Sequence, residues 1–336
     1  MNIIEKIKKA KLVGRGGASF PTARKWETFV QTQSQQKYII ANIAEGEPGV
    51  LKDAYILENN CEDFLDGLIL ATRFFKPTKT YLYLRHVYYK KYFKKITKIL
   101  DSKIKSGKIR KNIELICEPQ EAGYIGGAET VLLRIIEKKH IEPNLKPPFP
   151  TTCGLFGQPT LINNIETFLN IALVSRGEYK NERFYTIGGD CVHPGVYRYK
   201  DNFSILKILE LTENYPDFPF FVQVGGDASG VVLSQKQLKQ KVGGAGAITI
   251  HKLDAKNSKN FLINLLDFFI NESCGKCTPC REGVYRMREI ISEKKVNYKL
   301  FLDLIENLEQ SAFCALGMAL PVVVRSYLKN ICKIKI

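Results

Sequence analysis

The chain has 336 residues, enough to bury a substantial core and to suggest two or three domains. Hydrophobic residues make up 45% and charged residues 25%, ordinary values for a soluble globular protein. No window reaches the roughly 18 consecutive apolar residues of a spanning helix, and Met1 to Lys11 lacks a signal-peptide apolar core, so a cytoplasmic location is expected.

A net charge of +16 raises the question of nucleic acid. The excess is concentrated at Lys90, Lys91, Lys94, Lys95, Lys98, Lys103, Lys105, Lys108, Arg110 and Lys111, with Tyr88, Tyr89, Tyr92 and Phe93 interleaved. The favoured reading is a solvated helix face whose aromatics pack inward. A docking face for an acidic partner subunit is the alternative, and no nucleic-acid partner is expected. Nine cysteines in an unsecreted chain argue against a disulfide scaffold. Cys61, Cys117, Cys153, Cys191 and Cys332 are scattered and read as small buried apolar residues.

Three zones follow in chain order. Residues 1–180 read as α/β: Tyr38 to Asn42 and Thr80 to Leu84 are buried parallel strands, with a helix through Phe64, Leu65, Leu68 and Ile69 between them. His140 to Pro150, with four prolines, is an irregular but ordered loop. Residues 183–250 read as a small β-rich module of the β-grasp kind. Its strands cover Arg183 to Ile187, Gly195 to Tyr199 and Phe220 to Val224, and Ser204 caps a helix. Residues 255–336 read as a helical bundle. Its four apolar stripes run through Leu262, Leu265, Leu266 and Phe269; Val284, Met287, Ile290 and Ile291; Leu300, Phe301, Leu304, Ile305 and Leu308; and Leu320, Val323, Val324 and Tyr327.

The bundle carries the most specific chemistry. Cys274, Cys277 and Cys280 form C-x2-C-x2-C, and Cys314 is a remote fourth thiol. Thiolates two residues apart on a tight turn can each reach a different iron of a cube, so the metal expected at these four residues is a [4Fe-4S] cluster. Structural zinc accepts four thiolates too, but usually from two C-x2-C pairs.

Three further segments suggest a nucleotide. Gly14 to Thr22 is a glycine-rich loop whose N–H groups can approach a phosphate, though Ser19 departs from the dinucleotide fingerprint and no strand precedes it. Asn42 to Gly49 follows a buried strand, where polar groups face the ligand crevice of an open α/β sheet. Tyr124 to Thr130 leads into an apolar-faced helix. For their acidic residues the plainer reading is a helix N-terminal charge or a solvated turn.

Six runs, GRGGASFPTARKW, NIAEGEPGVLKDAY, YIGGAET, LKPPFP, FGQPTLINNIET and SCGKCTPCREG, resemble in order and spacing the NADH-binding flavoprotein subunit of respiratory complex I. They are equally similar to the diaphorase subunits of NAD-linked hydrogenases and formate dehydrogenases. The resemblance covers nearly the whole chain. It implies a Rossmann-like FMN domain, a β-grasp module of the SLBB kind, and a helical domain carrying the cluster on Cys274, Cys277, Cys280 and Cys314. It also implies that Gly14, Arg15, Gly16, Gly17 and Lys25 form the nucleotide cradle. Asn42, Glu45, Tyr124, Gly127, Glu129, Asn163 and Asn164 would surround FMN, and Phe20, Glu47, Lys146 and Phe149 would line the NADH pocket.

The activity implied is NADH dehydrogenase. Hydride passes from NAD(H) to FMN without a catalytic side chain, and single electrons go on to the cluster. The implied partners are a [2Fe-2S] subunit and a downstream iron-sulfur subunit; the terminal acceptor is not specified. Departures from the family pattern are Ala44 for Asp, Ala128 for Glu and Gly126 for Cys. The Cys280–Cys314 loop is also short, and an upstream extension and a [2Fe-2S] domain are missing. The lost carboxylates leave NADPH open as donor and supply the runner-up reading, an electron-transfer or assembly subunit that keeps the cluster without nicotinamide binding.

Overall fold

The computed structural model describes residues 2–107, 109 and 112–333. The chain forms two compact units, one of residues 1–46, 51–141 and 146–183, the other of residues 47–50, 142–145 and 184–336.

In the first unit the elements are α1 (Ile3–Lys9), α2 (Thr22–Gln31), β1 (Tyr38–Ile43), α3 (Lys52–Asn59), α4 (Cys61–Phe75), β2 (Lys79–Leu84), α5 (His86–Lys105), β3 (Ile113–Cys117), α6 (Glu129–Ile136), β4 (Thr160–Asn164) and α7 (Ile165–Arg176). The four strands make a parallel sheet of order β3-β2-β1-β4. β1 lies in its middle, so Ile39, Ile40, Ala41 and Ile43 are buried on both faces, as a parallel central strand requires. Asn164 begins α7 by accepting the Glu166 N–H on its side chain, and Gly177 ends it in the left-handed region.

The second unit contains β5 (Glu182–Gly189, entering from the first unit), β6 (Gly195–Lys200), α8 (Ile205–Leu211), β7 (Phe220–Val224), β8 (Val231–Ser234), β9 (Ala247–Lys252), α9 (Ala255–Glu272), α10 (Val284–Ser292), α11 (Tyr298–Ser311) and α12 (Ala315–Tyr327). Its mixed sheet has the order β6-β5-β9-β7-β8. Ser204 caps α8 as expected, and Ile205, Ile208 and Leu209 pack on Tyr185, Phe220, Val222, Ile248 and Ile250. An aromatic cluster joins sheet and helices: Phe261 stacks on Tyr327 at 4.5 Å and meets Phe221 edge-on at 5.4 Å. The edge strand β8 is covered, because Val232 donates its N–H to Ser326 and accepts at its carbonyl from Asn330.

The structure corrects several sequence expectations. Cys61 is buried, but Cys117, Cys153 and Cys332 are exposed and Cys191 is half-buried. Cys117, for example, ends an edge strand rather than a central one. On α11 the buried stripe is Phe301, Ile305 and Leu308, while Leu300 turns outward. On α5, Tyr92 is buried with Ile96 and Leu100, but Phe93 is exposed. Lys103 is buried on Asp66 rather than solvated. Lys108, Arg110 and Lys111 lie outside the described residues. Among the described residues, no helix is long and apolar enough to cross a membrane.

The packing of α4 on α7 depends on the absence of a side chain at Gly67, where a Cβ would sit 1.8 Å from the Phe168 carbonyl oxygen. Gly67→Ala should force the two helices apart, costing about 3 kcal/mol. Calorimetry should show the thermal midpoint lowered by ~6–12 °C; an unchanged midpoint would contradict this close contact.

Candidate functional site

The strand order defines a crevice. The chain runs from β1 outward through β2 to β3, then returns to place β4 on the other side of β1. Connections therefore diverge between β1 and β4, and the carboxyl ends of those strands are where an open α/β sheet binds ligand. Asn42 pairs in register with Asn164, and Ala41 with Asn163.

Successive residues of a strand face opposite ways, and this separates the two asparagines. Asn163 is buried, and its amide, correctly oriented, accepts from the Trp26 indole N–H at 3.1 Å. Asn164 faces the crevice side with both ends of its amide engaged. Its oxygen accepts from Lys52 Nζ at 2.9 Å and from the Glu166 N–H at 3.0 Å. Its nitrogen donates to Asp53 Oδ2 at 2.8 Å and to the Asn42 carbonyl at 3.4 Å. Asn164 thus belongs to the crevice wall, while Asn163 is turned to the opposite face of the strand against Trp26.

Beneath Asn164 lies a charge network absent from the sequence reading. Lys52 is 2% exposed, Asp53 1% and Glu166 0%. Lys52 Nζ is 2.6 Å from Asp53 Oδ1 and 3.5 Å from Glu166 Oε2. Burial pulls the Lys52 ammonium down, and Asp53, Glu166 and Glu45 more than reverse it. Glu45 accepts the Asp53 N–H at 2.9 Å and the Tyr88 hydroxyl at 2.8 Å. Burial, then the nearby Asp53, push its carboxyl up to about 7. The sequence did contain a signal, since Lys52 and Asp53 lie within the NIAEGEPGVLKDAY run.

A second wall is the helical turn Ile125–Gly127, which leads from Tyr124 to α6. Asn42 donates its amide to the Gly127 carbonyl at 2.9 Å, tying this turn to the end of β1. Glu129 begins α6 and receives Lys25 at 2.7 Å and Lys146 at 2.9 Å. Burial works to raise the Glu129 carboxyl, but the two lysines outweigh it and hold it at about 2.

The glycine-rich loop is closed by Gly14 N–H donating to the Phe20 carbonyl at 2.8 Å and by a bridge between Val13 and Pro21. It is fastened beside β4: Arg15 N–H donates to Thr167 Oγ1 at 2.9 Å, and Gly16 lies against Asn164. Gly17 has φ +109°, and a Cβ there would meet nothing within 4 Å, so the loop presents bare backbone to open space. That suits an approaching phosphate. Arg15 itself is buried, with its guanidinium 3.4 Å from the Tyr179 hydroxyl. Phe20 and Phe149 are exposed, as rings that stack on a base would be. Glu47 belongs to the second unit, where its carboxylate accepts the N–H groups of Ala228 and Ser229 at 2.8 and 3.0 Å.

The second unit also gathers the four thiols. Gly275, at φ +71°, turns the chain after Cys274, and Cys280 and Arg281 donate their N–H groups to the Cys277 carbonyl. Cys314 precedes α12 and accepts N–H groups of Leu316 and Gly317 at its sulfur. Burial would raise the Cys277 thiol, but the Phe313 N–H and other donors bring it below its usual range. Burial first, then Cys277, Cys314 and Cys274, push the Cys280 thiol well up. The sulfurs thus repel one another as anions, which a cationic iron core would relieve. A Cβ at Gly317 would lie 2.8 Å from Cys280 Sγ, so α12 closes on the thiols only through a glycine. Among the described residues, no three His, Cys, Asp or Glu side chains converge on a single ion. The donor set fits a cluster held by four thiolates.

A crevice at the β1/β4 switch point and four neighbouring thiols suit a nucleotide-binding protein with an iron-sulfur region. Residues 7–173 match the Nuo51 FMN-binding domain, and residues 260–332 match the NADH-ubiquinone oxidoreductase-F iron-sulfur binding region. The chain is 28% identical to the F 2 subunit of NADH-quinone oxidoreductase from Rhizobium meliloti (strain 1021), covering 98% of this chain and 86% of that one. It is 29% identical to NADP-reducing hydrogenase subunit HndC of Solidesulfovibrio fructosivorans, covering 95% and 72%. The solved NAD+-reducing [NiFe]-hydrogenase in its H2-reduced state superposes with a TM-score of 0.89 at 26% identity. That match covers 98% of this chain and 61% of the hydrogenase chain. The two matched regions together take up most of the chain, which belongs to the Nuo51 FMN-binding family.

Lys52→Met should leave Asp53 and Glu166 buried without their cation. A loss of about 3–5 kcal/mol is expected in denaturant unfolding. A variant as stable as the parent would show that Lys52 does not hold the wall together.

Proposed function

We propose that this chain is the electron-entry subunit of a multi-subunit oxidoreductase, oxidising NADH on FMN and passing electrons to a [4Fe-4S] cluster. The observation that carries the reading is the crevice where β1 and β4 diverge, walled by the open-faced Gly14–Gly17 loop and the Tyr124–Gly127 turn. Domain boundaries of 1–180, 183–250 and 255–336 divide the chain by task. The middle part is then a β-grasp module of the SLBB kind, supported by α8 packed across a mixed sheet. The last part is a cluster-bearing bundle, supported by the buried stripes of α9 to α12.

When bound, FMN accepts two electrons as hydride and releases them singly, which is the step that couples nicotinamide to a one-electron cluster. The chain's own residues bind and orient. Gly14, Arg15, Gly16 and Gly17 form the phosphate loop: the N–H groups of Gly14 and Arg15 fasten it to Phe20 and Thr167, those of Gly16 and Gly17 are left to face phosphate, and Lys25 is the counter-charge. Asn42, Glu45, Tyr124, Gly127 and Glu129 shape the flavin side; Asn164 acts through the wall it builds, and Asn163 only by anchoring the same strand on Trp26. Phe20 and Phe149 supply faces for bases, and Lys146 supplies charge for the dinucleotide. Glu47, engaged by the Ala228 and Ser229 amides, is assigned to nicotinamide on sequence resemblance alone. Cys274, Cys277, Cys280 and Cys314 hold the cluster. Partners are a [2Fe-2S] subunit and a downstream iron-sulfur subunit, and the reducing cytoplasm suits the thiols.

Anaerobic reconstitution with FMN, iron and sulfide provides the test. NADH should bleach the flavin and produce a reduced-cluster EPR signal. Cys277→Ser should abolish or strongly alter that signal while flavin bleaching persists. Bound flavin that neither NADH nor NADPH reduces would overturn the dehydrogenase reading in favour of a carrier subunit.

A further inference from the structure

One buried carboxylate beside the crevice has no part in the site as described. Glu118 follows β3, is 2% exposed, and donates its N–H to the Leu84 carbonyl at 2.7 Å. Its side chain runs behind the Ile125–Gly127 turn. A Cβ on Gly126 would lie 2.2 Å from Glu118 Oε1 and 2.8 Å from the Ala122 Cβ. The carboxylate therefore holds the space that any side chain at position 126 would need.

The groups around it are few and polar. The Tyr83 hydroxyl of β2 donates to Glu118 Oε1 at 3.4 Å. Arg85, just after β2, attracts Glu118 and donates to the Glu45 carbonyl at 2.8 Å. Arg85 Nη1 also lies 2.7 Å from where a Cβ on Gly46 would be, so it stands at the end of β1. Cys117, the last residue of β3, is a further titratable neighbour and itself faces Lys90. The Gly127 carbonyl, one residue beyond Gly126, accepts from Asn42. Turn 125–127 is thus held between Glu118 behind and the end of β1 in front.

We propose that Glu118 is a positioning residue of the flavin site: its carboxyl replaces a side chain at position 126, props turn 125–127 against β1, and places an ionisable group directly behind that turn. The identity of the ligand facing the turn rests on the flavin reading above. Burial lifts the carboxyl to about 7, against the pull of Arg85 and the Tyr83 hydroxyl. Its charge therefore changes around neutrality. It is protonated at lower pH, and as pH rises it ionises and adds negative charge behind the turn. That charge opposes the arrival of electrons at the flavin, so the flavin potential falls more steeply with pH than it would beside a neutral residue.

Folding is linked to the same proton. Because the folded pKa lies above the ordinary value of 4.5, the contribution of Glu118 to stability is complete below about 4.5 and is lost as pH rises through about 7.

The test compares the full-length parent with Glu118→Gln, Glu118→Ala, Gly126→Ala and the double variant Glu118→Ala/Gly126→Ala. Flavin-free thermal midpoints, FMN dissociation constants and the pH dependence of the flavin potential are read for each. Gly126→Ala should lower the midpoint and weaken FMN binding about tenfold. The double variant should recover most of both losses, because the alanine methyl then occupies vacated space. Glu118→Gln should bind FMN within about threefold of the parent. Its flavin potential should coincide with the parent's near pH 6 and lie above it near pH 8, on either side of the Glu118 titration.

Additive losses in the double variant would overturn the packing claim, and superimposable potential curves for parent and Glu118→Gln would overturn the electrostatic one. A parent that binds no FMN would overturn the flavin reading, and with it the ligand role of Glu118. The flavin-free midpoints still decide the packing claim in that case, so the two failures are distinguishable.

Discussion

The ligand crevice depends on one buried cation. Lys52, at the start of α3, reaches Asp53 beside it, Asn164 at the end of β4 and Glu166 in the first turn of α7. Taking a lysine and two carboxylates out of water costs several kcal/mol per ion, and mutual attraction repays this only when geometry is good. The network is therefore weak evidence for stability. It does fix orientation, because Lys52 and Asp53 bind opposite ends of the Asn164 amide and exclude its flipped form. Asn164 in turn backs Gly16 and holds the carbonyl of Asn42. Both walls of the crevice are thus referred to a single ammonium.

The carboxylates of the first unit show that burial sets the charge unless cations close by outweigh it. Glu129 carries two lysines and stays ionised far into acid. Burial lifts Glu45 and Glu118 towards neutrality: Asp53 reinforces it at Glu45 against Lys52, and at Glu118 Arg85 and the Tyr83 hydroxyl do not overcome it. One residue type on one sheet edge therefore provides a fixed anion and two groups whose protons are labile near pH 7.

Much of this was legible in the sequence where the signal is local. The C-x2-C-x2-C turn, the Ser204 cap and the buried strand Tyr38 to Asn42 all follow from spacing and periodicity, and the fold agrees with them. The glycine-rich loop was recognisable, but the direction of Arg15 was not, because its partner Tyr179 is distant in sequence. The Asn163–Asn164 pair reads as a unit, yet strand alternation sends one side chain to Trp26 and the other to Lys52. Lys52 and Glu118 are ordinary charged residues in the sequence, and only tertiary burial distinguishes them. The exposed cysteines and Phe93 failed for the complementary reason: composition says what prefers the interior, whereas the position of an edge strand or outer helix face decides what reaches it.

The alanines at 44 and 128 then acquire an electrostatic meaning. Ala44 is buried at the end of β1, and Ala128 opens α6 without a side-chain cap. Near them Glu129 stands against Lys25 and Lys146, one anion facing two cations. A carboxylate at either alanine would shift that balance towards repulsion of an incoming phosphate. With alanine at both positions, the Lys25–Glu129–Lys146 group keeps two cations to one anion, and the helix N-terminus at Glu129 adds to it. On the proposed reading, that group attracts an anionic ligand by charge as well as by shape. On the NADH reading proposed above, an additional phosphate on the dinucleotide meets no carboxylate at positions 44 and 128.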